Sequence, residues 1–158
     1  MTGGVRNVFA EDLQMSSPHL DIALRLKTNS LRGGFIEDIH MRNTTVGQVA
    51  QQGFLIDFFY EVGDTWPTYS FLARVTDIHL SNVTVGSAKQ PFYLVGYPTD
   101  HIENITLTDC AFENAMSVSE VQYVDNLVLS NVLVNGVRVD TSRAPSAHRL
   151  PTAVPAEG

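Results

Sequence analysis

An eleven-residue pattern recurs five times along the chain, and no other feature constrains the fold as strongly. It reads apolar, any, Asn or Asp, apolar, any, apolar, any, Asn or Asp, any, any, apolar. The copies are Val5–Met15, Ile36–Val46, Val75–Val85, Ile102–Phe112 and Val124–Val134. Their third residues are Asn7, Asp38, Asp77, Asn104 and Asn126, and their eighth are Asp12, Asn43, Asn82, Asp109 and Asn131. The fourth and sixth positions are apolar around a variable fifth, the period of two that gives a strand one buried face. Asn and Asp bond their own backbone and tolerate left-handed angles, so they suit corners at both ends of such a strand. Repeated at one corner of successive coils, their amides can form ladders. The copies start 31, 39, 27 and 22 residues apart. A coil of about 22 residues with insertions at its corners predicts a parallel β-solenoid, all-β, of about five coils. Ile39, Ile78, Ile105 and Leu127 should then stand in one internal column.

Between the copies lie short apolar stretches that are candidate second strands of each coil: residues 23–27, 54–58, 92–95 and 116–118. A leucine-rich repeat also combines Leu with Asn, but its Asn falls one residue later and its period is steadier. A β-sandwich would need antiparallel hairpins with tight Asn-Gly turns, and such hairpins are not expected here. The pattern ends at Gly136, with Val137–Asp140 a candidate last edge strand. Residues 1–140 form one domain in this reading, followed by a Pro/Ala-rich tail, 141–158, expected to be mobile or to lie along the outside.

Composition narrows the partners. The chain has 158 residues, 44% hydrophobic and 17% charged, which is enough apolar material for one core. Ten Lys and Arg against 17 Asp and Glu give a formal charge of −7. That balance argues against nucleic acid or an anionic membrane surface as partner. The single cysteine, Cys110, excludes an intrachain disulfide. No apolar run approaches the ~18 residues of a membrane-spanning helix. The opening Met1–Arg6 has no apolar h-region, so no secretory signal is expected in this chain.

Arg25-Leu26-Lys27 is the most informative local feature. In a strand the two cations share one face about 7 Å apart. So placed, they suit carboxylate groups, with Arg able to bind in bidentate fashion; two ordinary charges on a solvated face would have the same spacing. Asp57 alternates with Ile56 and Phe58 and is a candidate outward group near Arg25, either catalytic or a simple charge partner. Glu61, Asp64 and Trp66 fall on an insertion, where Trp66 is a candidate sugar-stacking platform or a packed loop aromatic. Ser16, Ser17, His19 and Asp21 bring together the residue types of a nucleophilic relay, with Ser30 and His40 further candidates, but no Gly-any-Ser-any-Gly elbow is present. His40 and His79 occupy the same repeat position and should be outward neighbours. Two imidazoles without a third ligand form a surface ladder more readily than a metal site, and no metal or cofactor is expected. Asn43, Asn82 and Asn104 begin glycosylation sequons, but each holds a repeat position that backbone geometry already explains.

The stretches Gly3-Gly4-Val5-Arg6-Asn7-Val8-Phe9, Ala23-Leu24-Arg25-Leu26-Lys27-Thr28-Asn29-Ser30, Arg32-Gly33-Gly34, Ile36-Glu37-Asp38-Ile39, Tyr93-Leu94-Val95-Gly96-Tyr97-Pro98 and Ile102-Glu103-Asn104-Ile105-Thr106 resemble the polygalacturonase family, family 28 of the glycoside hydrolases. The resemblance runs from about Gly3 to Val139. It implies a right-handed parallel β-helix, a pectin-lyase-like solenoid, and cleavage of galacturonan with inversion. It also implies that Arg25 and Lys27, matching the family's Arg-any-Lys, bind the substrate carboxylate, and that Tyr60 matches a substrate-contacting Tyr on the next coil. The family's chemistry lies in an Asn-any-Asp motif, an Asp-Asp pair and a Gly-His-Gly, and none of the three occurs in this sequence. Inverting hydrolysis needs one carboxylic acid for the leaving oxygen and a second carboxylate for water. The chain is therefore expected to correspond to the C-terminal part of the family's β-helix, N-terminally truncated, with half a binding cleft and without the usual catalytic carboxylates. The expected partner is an acidic oligo- or polysaccharide. Family members are usually secreted or periplasmic, and nothing in this chain assigns its own location. An exposed first strand should also promote homo-oligomers through the N-terminal end. Two other readings stay open: a small oligomeric serine-type esterase, and an inert structural remnant.

Overall fold

A computed structural model describes residues 3–61 and 71–141. The strands in chain order are β1 (Gly4–Glu11), β2 (Gln14–Met15), β3 (Leu24–Lys27), β4 (Phe35–Val46), β5 (Gln52–Asp57), β6 (Arg74–Val85), β7 (Gln90–Val95), β8 (Ile102–Phe112), β9 (Glu120–Gln122), β10 (Val124–Val134) and β11 (Val137–Arg138). One sheet runs β1-β4-β6-β8-β10-β11, with β2 also paired to β4, and a second runs β3-β5-β7-β9. Every pairing is parallel except β10 with β11. Each of the first four coils contributes a strand to both sheets, which makes the molecule a right-handed parallel β-helix.

The repeat becomes columns. Val8, Ile39, Ile78, Ile105 and Leu127 are successive Cα partners, as are Ala10, Met41, Leu80, Leu107 and Leu129. Ile78, Ile105 and Leu107 are fully buried, and residues of both sheets share one apolar core. Phe92 from the second sheet meets Phe112 from the first edge to face, with ring centroids 5.9 Å apart. Gly53 allows this close approach, since a Cβ there would lie 2.8 Å from both the Phe112 ring and the Pro91 carbonyl.

All ten Asn and Asp of the repeat have positive φ, between 50° and 59°. The expectation of short strands bounded by these residues needs one correction. β4, β6, β8 and β10 run through both positions and bend there. A single left-handed residue turns the chain and the next residue resumes pairing with the neighbouring coil, so the ladder survives the corner. The side chains link coil to coil. Asn43 donates its amide to Asp12 at 3.1 Å and Asn82 to Asn43 at 3.1 Å. At the other corner Asn104 donates to Asp77 at 3.1 Å and Asn126 to Asn104 at 2.8 Å. Asn131 donates to Asp109 at 2.6 Å.

Three of the four candidate second strands are β3, β5 and β7. The fourth is displaced: Met116 is 81% exposed, and the pairing strand is Glu120–Gln122, set by Tyr93 opposite Glu120. A tight Asn-Gly hairpin is present after all. Asn135 (φ 50°) and Gly136 (φ 78°) carry the chain from β10 back into β11, as a two-residue turn with both φ positive requires. Beyond it the Val139 N–H donates to the Val132 carbonyl and the Thr141 N–H to the Leu129 carbonyl. The remainder of the proposed tail, 142–158, lies outside the described residues.

Candidate functional site

The outward face of the β3-β5-β7-β9 sheet carries the predicted cations. Leu24 and Leu26 pack toward the core, so Arg25 and Lys27 point outward from the first coil. The Arg25 guanidinium donates to Asp21 at 3.0 Å. The Lys27 ammonium lies 3.7 Å from the centroid of the Tyr60 ring, a cation–π contact. No carboxylate stands within ion-pair distance of Lys27 among the described residues. Tyr60, separated from Lys27 by a whole coil in sequence, is thus brought to it in space.

Residues outside the predicted binding set hold this arrangement. Thr28, Asn29 and Ser30, directly after Lys27, are all buried. Asn29 donates its amide to the Tyr60 carbonyl at 2.8 Å and accepts the Leu31 N–H at 3.0 Å, fixing the backbone that carries the Tyr60 ring. The Tyr97 hydroxyl accepts the Ser30 N–H at 3.1 Å and donates to the Phe58 carbonyl, tying three coils together. A buried polar run after a strand, in place of a solvated turn, is the signal that could have pointed to Asn29.

Asp57 lies beside Lys27 in the sheet register. Burial raises its carboxyl above the ordinary range, against the Phe59 N–H and the Arg25 charge, which lower it. Its Oδ1 accepts the Phe59 N–H at 2.8 Å. Further along the same side, burial and Glu103 raise Asp100, with His101 opposing. His101 faces Asp125 at 2.9 Å. Glu61 pairs with Arg32 at 3.1 Å, while Asp64 and Trp66 lie outside the described residues. A shallow groove of about 210 Å³ beside Lys27 is bounded by Gly3, Gly4, Arg32 and Phe35.

The other candidates separate. Ser17 Oγ accepts the backbone N–H of His19 at 3.3 Å, and Asp21 is committed to Arg25. Among the described residues no hydrogen bond joins the side chains of Ser16, Ser17 or Asp21 to the His19 ring. His40 and His79 are neighbours in the stack, ring centroids 4.9 Å apart, with Phe9 on the far face of His40 at 4.8 Å. Burial, then the charge of His40, holds His79 below its ordinary value, with Asp77 and Asp38 opposing. No group of three metal-ligating side chains occurs among the described residues. Burial pushes the Cys110 thiol up to about 11, so it is an unreactive core group.

Comparison with known proteins agrees with this fold. Residues 2–130 match the model of the glycosyl hydrolases family 28. The fold superposes with a TM-score of 0.79 on a hyperthermoactive exopolygalacturonase from Thermotoga maritima, at 29% sequence identity over 87% of this chain. The chain spans 30% of the length of that enzyme. No curated protein matches. Since the family model covers most of the sequence, and the solved enzyme shares both its fold and more than a quarter of its residues, this chain belongs to the glycosyl hydrolases family 28.

Proposed function

We propose that the chain forms the carboxylate-binding portion of a polygalacturonase-type cleft and takes acidic polysaccharide, galacturonan by preference, through Arg25 and Lys27. The observation that carries this reading is the Lys27 ammonium seated on the Tyr60 ring with no carboxylate partner among the described residues. A cation stacked on an aromatic face keeps its donors directed at an incoming anion. Arg25 shares that face and can exchange its exposed Asp21 partner for a ligand carboxylate, since exposed ion pairs are weak. Tyr60 supplies the platform, and Trp66 is a further sugar contact in this reading. Hydrolysis is not assigned to these 158 residues, because they contain no Asn-any-Asp, Asp-Asp or Gly-His-Gly.

Calorimetric titration with trigalacturonate tests the reading. Arg25→Ala and Lys27→Ala should each weaken binding about tenfold, as loss of a charge-assisted hydrogen bond predicts. Undiminished binding in both variants, or none in the parent chain, would overturn it. Exposure of Val5, Val8 and Phe9 on β1 supports one more element, self-association through that end. Mass photometry should show dimers or larger species, and a monomer at micromolar concentration would count against it.

A further inference from the structure

The face that carries Arg25 and Lys27 changes character along the stack. In register, Arg25 is followed by Leu55, Tyr93 and Glu120, and Lys27 by Asp57, Val95 and Gln122. Cations therefore stand at one edge, mostly apolar side chains in the middle, and a carboxylate at the far edge, three strand spacings or about 14 Å away. Asp100, on the turn after β7, and Asp125, at the start of β10 and paired with His101, add carboxylates next to the ends of β7 and β9. The asymmetry extends along residues 3–134. Residues 3–74 hold six Lys and Arg with eight Asp and Glu, whereas residues 75–134 hold one base, Lys89, against seven acids.

We infer that this cleft accepts a charged uronate only at its β3 end and requires uncharged, methyl-esterified uronate units where the chain passes over β7 and β9. The inference rests on the carboxylate-binding reading of Arg25 and Lys27 and adds which part of a polyuronate the remaining face takes. A free-acid unit placed above Glu120 would meet like charge, since the residues in register on β7 and β9 include no Lys or Arg. An ester removes that charge and presents a methyl group to the half-buried Leu55 and Tyr93 side chains. Surface repulsion of this kind acts over several ångströms and is screened by salt. Glu120 and Asp57 are thus specificity-determining residues, acting by exclusion.

The test uses the intact chain and three ligands: free-acid trigalacturonate, free-acid hexagalacturonate, and hexagalacturonate methyl-esterified on all units but one at a terminus. At low ionic strength the free-acid hexamer should bind no tighter than the trimer. The esterified hexamer should bind about tenfold tighter than its free-acid counterpart, the effect expected of two surface charges at this range. Raising salt should narrow that gap, and Glu120→Gln with Asp57→Asn should largely remove it. A free-acid hexamer that binds tenfold tighter than the trimer, or a preference unmoved by both salt and the substitutions, would overturn the inference. Trimer binding that Arg25→Ala weakens about tenfold keeps the carboxylate-binding reading intact in either case. Absence of all binding would overturn both together. Should the double variant fail to fold, the length and salt series on the parent chain still decides.

Discussion

Ile105→Ala is expected to lower the unfolding free energy by about 2–5 kcal/mol, the range for emptying a fully enclosed aliphatic site. Ile105 is completely buried between Ile78 below and Leu127 above, in the middle of the internal column. Two contributions add there. The removed methyl and methylene groups lose their transfer energy, and the coils on either side cannot close the space because backbone ladders hold their spacing. Val8 occupies the same column in the first coil but is 40% exposed, so Val8→Ala should cost well under half as much. Urea unfolding of both variants, with unchanged slopes, would measure the difference. Equal midpoints for the two would contradict the stacked column.

The corner residues should produce the second large effect, and its two parts can be separated. Asn104 has φ 55°, donates to Asp77 and accepts from Asn126. Asn104→Gly keeps the left-handed backbone at no steric cost and loses only the amide links, for which about 1–2 kcal/mol is expected. Asn104→Val loses the same links and forces a β-branched side chain into a conformation that costs a further 1–2 kcal/mol or so. Thermal unfolding should rank parent, then glycine, then valine. If valine were no worse than glycine, left-handed geometry would not be the reason for Asn and Asp at these positions.

The fold was legible because its determinants are local and repeated. Alternation about the fifth position, and Asn or Asp at the third and eighth, are visible within eleven residues, and each copy repeats the same physical requirement. Two elements escaped for opposite reasons. β9 shows only Val121 between Glu120 and Gln122, too little apolar signal to outweigh the nearby Met116 and Val118, which the structure leaves exposed. The hairpin at Asn135-Gly136 is a strong local signal, but it contradicts the parallel rule only at the last coil, where the rule stops.

The cleft was legible in part. Arg25 and Lys27 declare their shared face by spacing alone, and Tyr60 entered through family resemblance. Asn29 and Tyr97 were given no role, because their partners Tyr60 and Ser30 lie 31 and 67 residues away. The residue types gathered at Ser16, Ser17 and His19 illustrate a different limit: adjacency in sequence does not say which groups bond, and in the structure Ser17 meets the His19 backbone while Asp21 turns to Arg25.

The reversed final strand has a consequence for assembly. β11 and the residues after it occupy the outer edge of β10, so an incoming copy cannot add a parallel coil there. Growth at that terminus is blocked by the chain's own backbone, whereas the β1 edge has no such stopper among the described residues. A head-to-tail fibre, which a stack of identical coils would otherwise invite, is denied a docking edge along the second half of β10.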